Sequence, residues 1–433
     1  MATITNPFFV GGAVPPAHFV GRSAEISEIF SHIGNKSHLA IHGSPGLGKS
    51  SLLSAVERPE TWQTRGLDPS VATVVSLNCG DFSPFTRQAF WRSVLERLDN
   101  TGDAGLQQLV TAGLNKSAPG RDDLQKVLAF LMKQSRLLVM LLDDFDAALR
   151  PGENHSENDV LKMKADLRAL CNEFGTKCLS QIVTSFHRLT DLGPELLPTG
   201  SPWYNQYLFL PLKPFTDEDA GTLFDRMSPA WSLTQAQRDW IRELTDGHPA
   251  LLQNACYLLW KSFQEKTQLE PWQFADRLRG LTRQFFRDEW QFSNREERMA
   301  LLLIALCRAD GKVPGREYNL SGIDTVLTQM RDKMFGLKDR GIVEERMEGA
   351  KPVFRFRSSL MEWFVIQDLQ DAKDEKELAE RQEVLFGLSN KQVDKVKGAM
   401  SLMWKHKDAV TALVKFSGRL AGAFSKGFSG SAP

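Results

Sequence analysis

Gly43-Ser44-Pro45-Gly46-Leu47-Gly48-Lys49-Ser50 is a complete G-x-x-x-x-G-K-[ST] stretch, and the residues on either side of it decide the fold. At average glycine usage such a pattern arises by chance in about 2% of chains of this length, so its context matters. His38-Leu39-Ala40-Ile41 just before it reads as a strand, and a helical pattern starts at Lys49. Glycines let a loop there wrap until its backbone N–H groups point inward at phosphate oxygens. The helix that follows directs its N-terminal dipole at the same anion. In this arrangement Lys49 reaches the β- and γ-phosphates and the Ser50 hydroxyl ligates Mg²⁺. The expected nucleotide-binding stretch therefore runs from Gly43 through Ser51.

Outward from the loop, short apolar runs alternate with helical patterns. Val71–Leu77, Leu137–Leu142, Ile182–Thr184 and Tyr207–Leu210 read as further strands, with helical patterns at Phe85–Leu98, Leu124–Leu131 and Val160–Leu170 between them. Such alternation predicts a parallel sheet with helices on both faces. The polar run from Pro151 to Asn158 reads as an exposed loop. Beyond Pro211 the strand signals stop, and Thr216–Met227, Thr234–Leu244, Pro249–Phe263 and Pro271–Phe286 read as helices, several with start signals. Helical patterns at Met299–Leu306 and Ile323–Leu337 then precede Gly341-Ile342-Val343 and a second strand, Val353–Arg357, with apolar and basic residues alternating. Helices followed by a two-stranded hairpin are the plan of a winged helix. The expected division is a P-loop NTPase domain over 1–211, an all-α helical subdomain over 212–288, a winged-helix domain over 289–370 and a basic helical tail over 371–433.

A phosphate loop needs an acidic partner. The buried run Leu137–Leu142 ends in Asp143-Asp144, and ligands of open α/β sheets sit at such strand ends. Asp143 is expected to hold Mg²⁺ through water, and Asp144 to orient or deprotonate the attacking water. Taken alone, Asp143, Asp144 and Asp146 could simply end a strand in solvent; the upstream loop favours the functional reading, with Asp146 kept as structural. The next strand ends in Thr184-Ser185-Phe186-His187-Arg188. A hydroxyl of Thr184 or Ser185 there can sense the γ-phosphate or position the water, and Arg188 can pair with phosphate charge, although polar strand ends are also common.

With these residues in place, the chain resembles the STAND class of P-loop ATPases, the signal-transducing relatives of AAA+ proteins, over about Asn6 to Leu369. Phe19-Val20-Gly21-Arg22-Ser23-Ala24-Glu25 is similar to the family's hhGRxxE motif, and the resemblance implies that Val20, Gly21 and Arg22 pack by the adenine ring. Leu212–Thr216 resembles the family's lead-in to its helical subdomain. Gly247-His248-Pro249 is similar to the GxP motif, which implies that Pro249 lies against the base. Leu337 to Phe364 is similar to the family's winged helix. The resemblance implies an ATP/ADP- and Mg²⁺-dependent switch with slow or partner-stimulated hydrolysis, closed with ADP and open and homo-oligomeric with ATP, in prokaryotic signalling or defence. Two features depart from the pattern. Neither a long repeat array nor a separate effector domain is visible, and Phe356-Arg357-Ser358-Ser359 stands where some members carry Met-His-Asp. The protein trigger or effector is not named by the sequence.

Composition narrows the remaining choices. The chain has 433 residues, roughly three domains by length. Lys+Arg and Asp+Glu both number 53, so the whole chain is neither a polybasic nucleic-acid coat nor an acidic tail. That neutrality is a sum: residues 391–433 carry eight basic and two acidic residues, or +6, against −6 for residues 1–390. Phe416, Leu420, Phe424 and Phe428 follow Leu413 at helical spacing, with Lys415, Arg419 and Lys426 opposite. Such a helix can pack on protein or lie on an anionic membrane, which makes peripheral membrane contact through residues 391–433 an alternative. A DNA-associated AAA+ ATPase of the origin-recognition or transposition-regulator type is another. The charge near Ile323–Arg340 is close to balanced, however, which is poor for neutralising phosphates. Five scattered cysteines make neither a disulfide framework nor a zinc site. Without a secretory signal or a bilayer-length apolar run, the expected location is cytoplasmic.

Overall fold

The computed structural model describes residues 6–194, 202–226, 233–267, 269–312, 320–349, 351–406 and 408–420, the side chains of 416–420 excepted. The chain forms two compact units. A sheet unit comprises Ala13–Gly43 and Gly48–Leu212; a helical unit comprises Met1–Gly12, Ser44–Leu47 and Lys213–Pro433.

The sheet unit carries five parallel strands, β1 (His38–His42), β2 (Ala72–Asn78), β3 (Leu137–Asp143), β4 (Leu179–Ser185) and β5 (Tyr207–Pro211), in the order β2-β3-β4-β1-β5. The burial of each strand follows from its place. Interior strands β1, β3 and β4 are buried along their whole length, as the continuous run Leu-Leu-Val-Met-Leu-Leu in β3 requires. Edge strand β2 alternates half-buried and buried residues, with Thr73, Val75 and Leu77 buried and Val74 and Ser76 half-buried between them. Among the described residues, eight α-helices accompany the strands: α1 (Ser23–Gly34), α2 (Lys49–Glu57), α3 (Pro59–Thr64), α4 (Arg87–Asp99), α5 (Ala104–Leu114), α6 (Arg121–Lys133), α7 (Asp146–Leu149) and α8 (Glu157–Phe174). Residues of one parity, Ala40, Val75, Leu138, Met140 and Val183, join the core formed with α4, α5, α6 and α8. Helices α1 and α2 pack on the sheet as well, against β1, β4 and β3. All five expected strands are present, each within three residues of its expected ends.

The helical unit begins with α9 (Asp217–Phe224), α10 (Gln235–Thr245), α11 (Pro249–Gln264), α12 (Pro271–Phe292) and α13 (Arg295–Ala309). Their starts follow from local chemistry. Thr216 with Asp219, Thr234 with Gln237 and Asn294 with Glu297 are reciprocal capping boxes, and Pro249 and Pro271 occupy first-turn positions where no N–H is needed. The pattern read as one helix over Ile323–Leu337 is two, α14 (Ile323–Gln329) and α15 (Phe335–Asp339), separated by turns at Met330–Met334. Tertiary contacts place the second of these helices against α13. A Cβ on Gly336 would stand 2.5 Å from the Glu297 carboxylate, and Arg340, next after α15, is ion-paired to that carboxylate. An antiparallel hairpin follows, β6 (Val343–Glu348) with β7 (Lys351–Phe356); Gly341 and Ile342, read as part of its first strand, precede it.

Four helices complete the unit: α16 (Ser359–Gln370), α17 (Glu375–Gln382), α18 (Asn390–Lys405) and α19 (Ala409–Leu420). Helix α18 packs on α16, and α19 on α12 and α16. Lys415 lies 5.4 Å from the centre of the Trp272 ring. The apolar stripe read at Phe416, Leu420, Phe424 and Phe428 lies outside the described side chains, as does the end of the helix expected to reach Met227. Among the described residues, no helix is long and apolar enough to cross a membrane.

Candidate functional site

In the sheet unit, Gly43 leaves β1 with its N–H donating to the Ser185 carbonyl at 3.2 Å, which ties the phosphate loop to the end of β4. Gly46 and Gly48 adopt φ of 79° and 91°, which side-chain-bearing residues rarely adopt. Gly48 is the N-cap of α2, so Lys49, Ser50 and Ser51 form its first turn, where helix N–H groups lack intrahelical partners. Lys49 Nζ donates to the Gly43 carbonyl at 2.7 Å, and Ser51 Oγ accepts from Val14 N at 2.9 Å.

Adjacent strands bring the acidic pair and the β4 hydroxyl together. Thr184 Oγ1 donates to Asp143 Oδ1 and accepts from Asp144 N at 3.2 Å, while its carbonyl accepts from Phe145 N at 2.8 Å. Asp144 turns at φ 46°, a left-handed conformation that is strained for an aspartate. Burial raises its carboxyl above the ordinary range, Asp143 adds to the rise, and Lys49 and a hydrogen bond from Asn78 oppose it. Asn78 is the residue that strand patterning missed. It ends β2 opposite Asp143, and its Oδ1 accepts from Gly80 N at 2.7 Å, which turns its amide N–H₂ toward Asp144. Its one sequence signal is a polar side chain closing a strand beside the acidic pair.

The other predicted residues have distinct places. Ser185 Oγ donates to the His187 carbonyl at 2.6 Å, inside the turn that follows β4. The Arg188 guanidinium lies 4.8 Å from the centre of the Phe209 ring on β5. Asp146 Oδ2 accepts from Phe186 N at 2.8 Å, joining the segments after β3 and β4. Val20 and Gly21 lead into α1, whose N-cap, Arg22, is buried, left-handed at φ 62° and ion-paired to Glu25 at 2.7 Å.

In the helical unit, loop residues Ser44–Leu47 meet α11 and α12. His248 Nε2 donates to the Pro45 carbonyl at 3.0 Å, and Ala250 N to the Gly46 carbonyl at 3.2 Å. Pro249, between those two donors, is buried at the first position of α11. Phe215 N donates to the Gly247 carbonyl at 2.9 Å, so the two motifs read at Leu212–Thr216 and Gly247–Pro249 are bonded to each other. Ser44 Oγ donates to Glu289 Oε2 at 2.7 Å. Ser358, where a Met-His-Asp triplet is missing, donates to the Leu244 carbonyl at 2.7 Å, and its neighbour Arg357 pairs with Asp246.

With this geometry in view, known proteins supply a comparison. Residues 18–181 match the AAA ATPase domain. The AAA match spans the phosphate loop, Asn78 and both aspartates, and stops just short of Thr184. No curated protein matches the chain. Among solved structures, a Walker-type ATPase of Pyrococcus abyssi superposes with a TM-score of 0.53 at 14% identity, covering 83% of this chain and 99% of that one. The ORC2 protein of Aeropyrum pernix, solved as ADPNP-ADP complexes, gives 0.44 at 13% identity, covering 83% of this chain and 96% of its own. The Aeropyrum pernix ORC1 protein in complex with DNA gives 0.38 at 11% identity, covering 81% and 93%. At such identity the first likeness establishes the fold alone, and the two lower scores add nothing to it.

Proposed function

We propose that this chain is an ATP-binding, slowly hydrolysing switch of the STAND type, whose ADP or ATP state controls domain opening and self-assembly or partner engagement. One observation carries the reading. The Gly48-Lys49-Ser50 end of a complete phosphate-loop sequence opens α2 in the same unit where adjacent strands β3 and β4 join Asp143, Asp144 and Thr184 in one hydrogen-bonded set. The AAA ATPase domain match over 18–181 supports ATPase chemistry. Bonds from His248 and Ala250 to the loop carbonyls support a switch, because a loop wired to helical elements makes contacts that differ between nucleotide states.

The donor set suits Mg²⁺. Ser50 and Asp143 offer the hard oxygen ligands that this ion prefers, and a cation would offset the Asp143 charge that adds to the effect of burial on Asp144. Bound there, Mg²⁺ supplies charge neutralisation on the phosphates. In this reading Lys49 binds the β- and γ-phosphates, and Asp144 orients or deprotonates the attacking water. Thr184 holds the Asp143 carboxylate and the Asp144 backbone N–H in register. In the sheet unit, Arg22, Val20 and Gly21 flank the base. The elements α13–α15, the β6–β7 hairpin and α16 are read as a winged helix over 289–370, after a helical subdomain over 212–288.

The DNA-associated alternative is less well supported. Basic residues around the hairpin are engaged by carboxylates: Arg331 and Lys338 with Glu345 at 2.8 and 3.0 Å, Lys333 with Glu296 at 3.1 Å, and Arg346 with Glu344 at 2.6 Å. Charges satisfied this way contribute less to neutralising a phosphate backbone. The described tail helices are packed on α12 and α16, which favours assembly or autoinhibition over a membrane role for that part.

Nucleotide binding and phosphate release, measured on two variants, test the assignment. Lys49→Ala should lose ATP binding. Asp144→Asn should retain binding while turnover falls at least a hundredfold, the scale expected for loss of a general base. Wild-type turnover in Asp144→Asn would show that another group positions the water.

A further inference from the structure

A buried charge cluster stands against the crown of the phosphate loop, and the function proposed above makes no use of it. Glu289 of α12, Glu297 of α13 and Arg340, just after α15, are each at most 3% exposed, as is Ser44. Arg340 Nε donates to Glu289 Oε1 at 2.9 Å, and its terminal nitrogen to Glu297 Oε1 at 3.0 Å. Burial works against the guanidinium charge, but Glu289 and Glu297 outweigh it and hold the Arg340 pKa above its ordinary value. The second oxygen of Glu289 accepts the Ser44 hydroxyl at 2.7 Å, and the Arg340 carbonyl lies 3.4 Å from the same hydroxyl. Loop, three helical elements and a guanidinium thus form one network across sequence separations of 43 to 296 residues.

Buried ion triads are a poor source of stability compared with apolar packing, and their best-attested use is to specify one arrangement. The arrangement specified here is that of the loop. Ser44 is held by the triad through its side chain, while Pro45 and Gly46 are held by α11 through their carbonyls. In a planar trans peptide the N–H points opposite the C=O. Fixing the Pro45 and Gly46 carbonyls on α11 therefore turns the N–H groups of Gly46 and Leu47 away from that helix. Gly46 leaves no room to slide, since a Cβ there would meet Ala250 Cβ and His248 Cε1 at 2.8 Å.

We propose that Ser44, Glu289 and Arg340 form a clamp on the phosphate loop that sets the rate of nucleotide release. Ser44 is the clamped group, and Glu289 and Arg340 are positioning residues that act through its hydroxyl. The clamp rests on the phosphate-loop reading and adds a regulatory element to it. Any event that displaces α12 or α15 withdraws the acceptor from Ser44, frees the crown of the loop and speeds exchange of a nucleoside diphosphate.

The test is the dissociation rate of a fluorescent ADP analogue from the full chain, chased with unlabelled ADP, for wild type, Ser44→Ala, Ser44→Thr, Glu289→Gln and the double variant Ser44→Ala/Glu289→Gln. Loss of one hydrogen bond to a charged group should speed release about tenfold in Ser44→Ala. Ser44→Thr, which keeps the hydroxyl, should restore the slow rate. The double variant should release no faster than the faster single variant, because both remove the same contact. Ser44→Ala removes one oxygen and leaves the ion triad whole, so it decides the matter even if Glu289→Gln fails to fold. A wild-type rate in Ser44→Ala, or additive effects in the double variant, would overturn the clamp alone. Failure of the wild-type chain to bind the analogue would overturn the phosphate-loop reading and the clamp with it.

Discussion

His38, the first residue of β1, shows what burial does to one side chain at the foot of the nucleotide strand. It is 5% exposed, and its Nδ1 accepts from Gln181 N at 3.1 Å, which requires an unprotonated ring nitrogen. Burial, with a smaller contribution from His32, lowers its pKa from 6.5 to about 4. A histidine depressed in the folded state contributes stability that is present above the unfolded pKa. That stability is lost as pH falls from 6.5 through 4. The shift corresponds to about 3 kcal/mol. Urea midpoints at pH 7 and pH 4.5 should therefore drop further for wild type than for His38→Asn, whose amide oxygen can take the Nδ1 position. Equal drops would show that His38 does not carry the acid sensitivity. Individual positions were legible where the pattern is local: Lys49 and Ser50 open α2 as the loop spacing implies, and Asp143 closes β3 at the end of a buried run. Asn78 was not, because its value depends on facing Asp143 across two strands.

Elements were legible where a single period governs them. The five strands announced themselves through short apolar runs, and several helices through their Thr and Pro starts. The segment 323–337 was not, because its helical spacing runs on through the turns at Met330–Met334 that part α14 from α15. Gly336 and Arg340 meet Glu297 of α13, a partner distant in sequence that leaves no periodic trace. The corner between α10 and α11 also depends on a distant contact. Gly247 has φ +72°, and a Cβ there would stand 2.6 Å from the Phe215 carbonyl, a backbone atom that cannot swing aside. Gly247→Ala combines left-handed strain with a forced backbone shift, and should cost about 2 kcal/mol. For a unit of this size that corresponds to a thermal midpoint roughly 4–8 °C lower. An unchanged midpoint would mean that the corner relaxes freely and that the two motifs it joins are not rigidly coupled.

At the scale of the whole molecule, the phosphate loop belongs partly to each compact unit. Gly43 and Gly48–Ser51 group with the sheet unit, and Ser44–Leu47 with the helical unit. Zero net charge concealed a related asymmetry. The −6 of residues 1–390 and the +6 of residues 391–433 are opposed within one chain, and the described part of the basic segment is already folded onto α12 and α16. A switch of this kind changes its assembly when the nucleotide changes. Mass photometry of the full chain, first with ADP and then with a non-hydrolysable ATP analogue, both with Mg²⁺, reads that change directly. The expected result is monomer mass with ADP and a defined multiple of it with the analogue; monomer mass in both states, at analogue concentrations shown to saturate binding, would rule out nucleotide-controlled assembly.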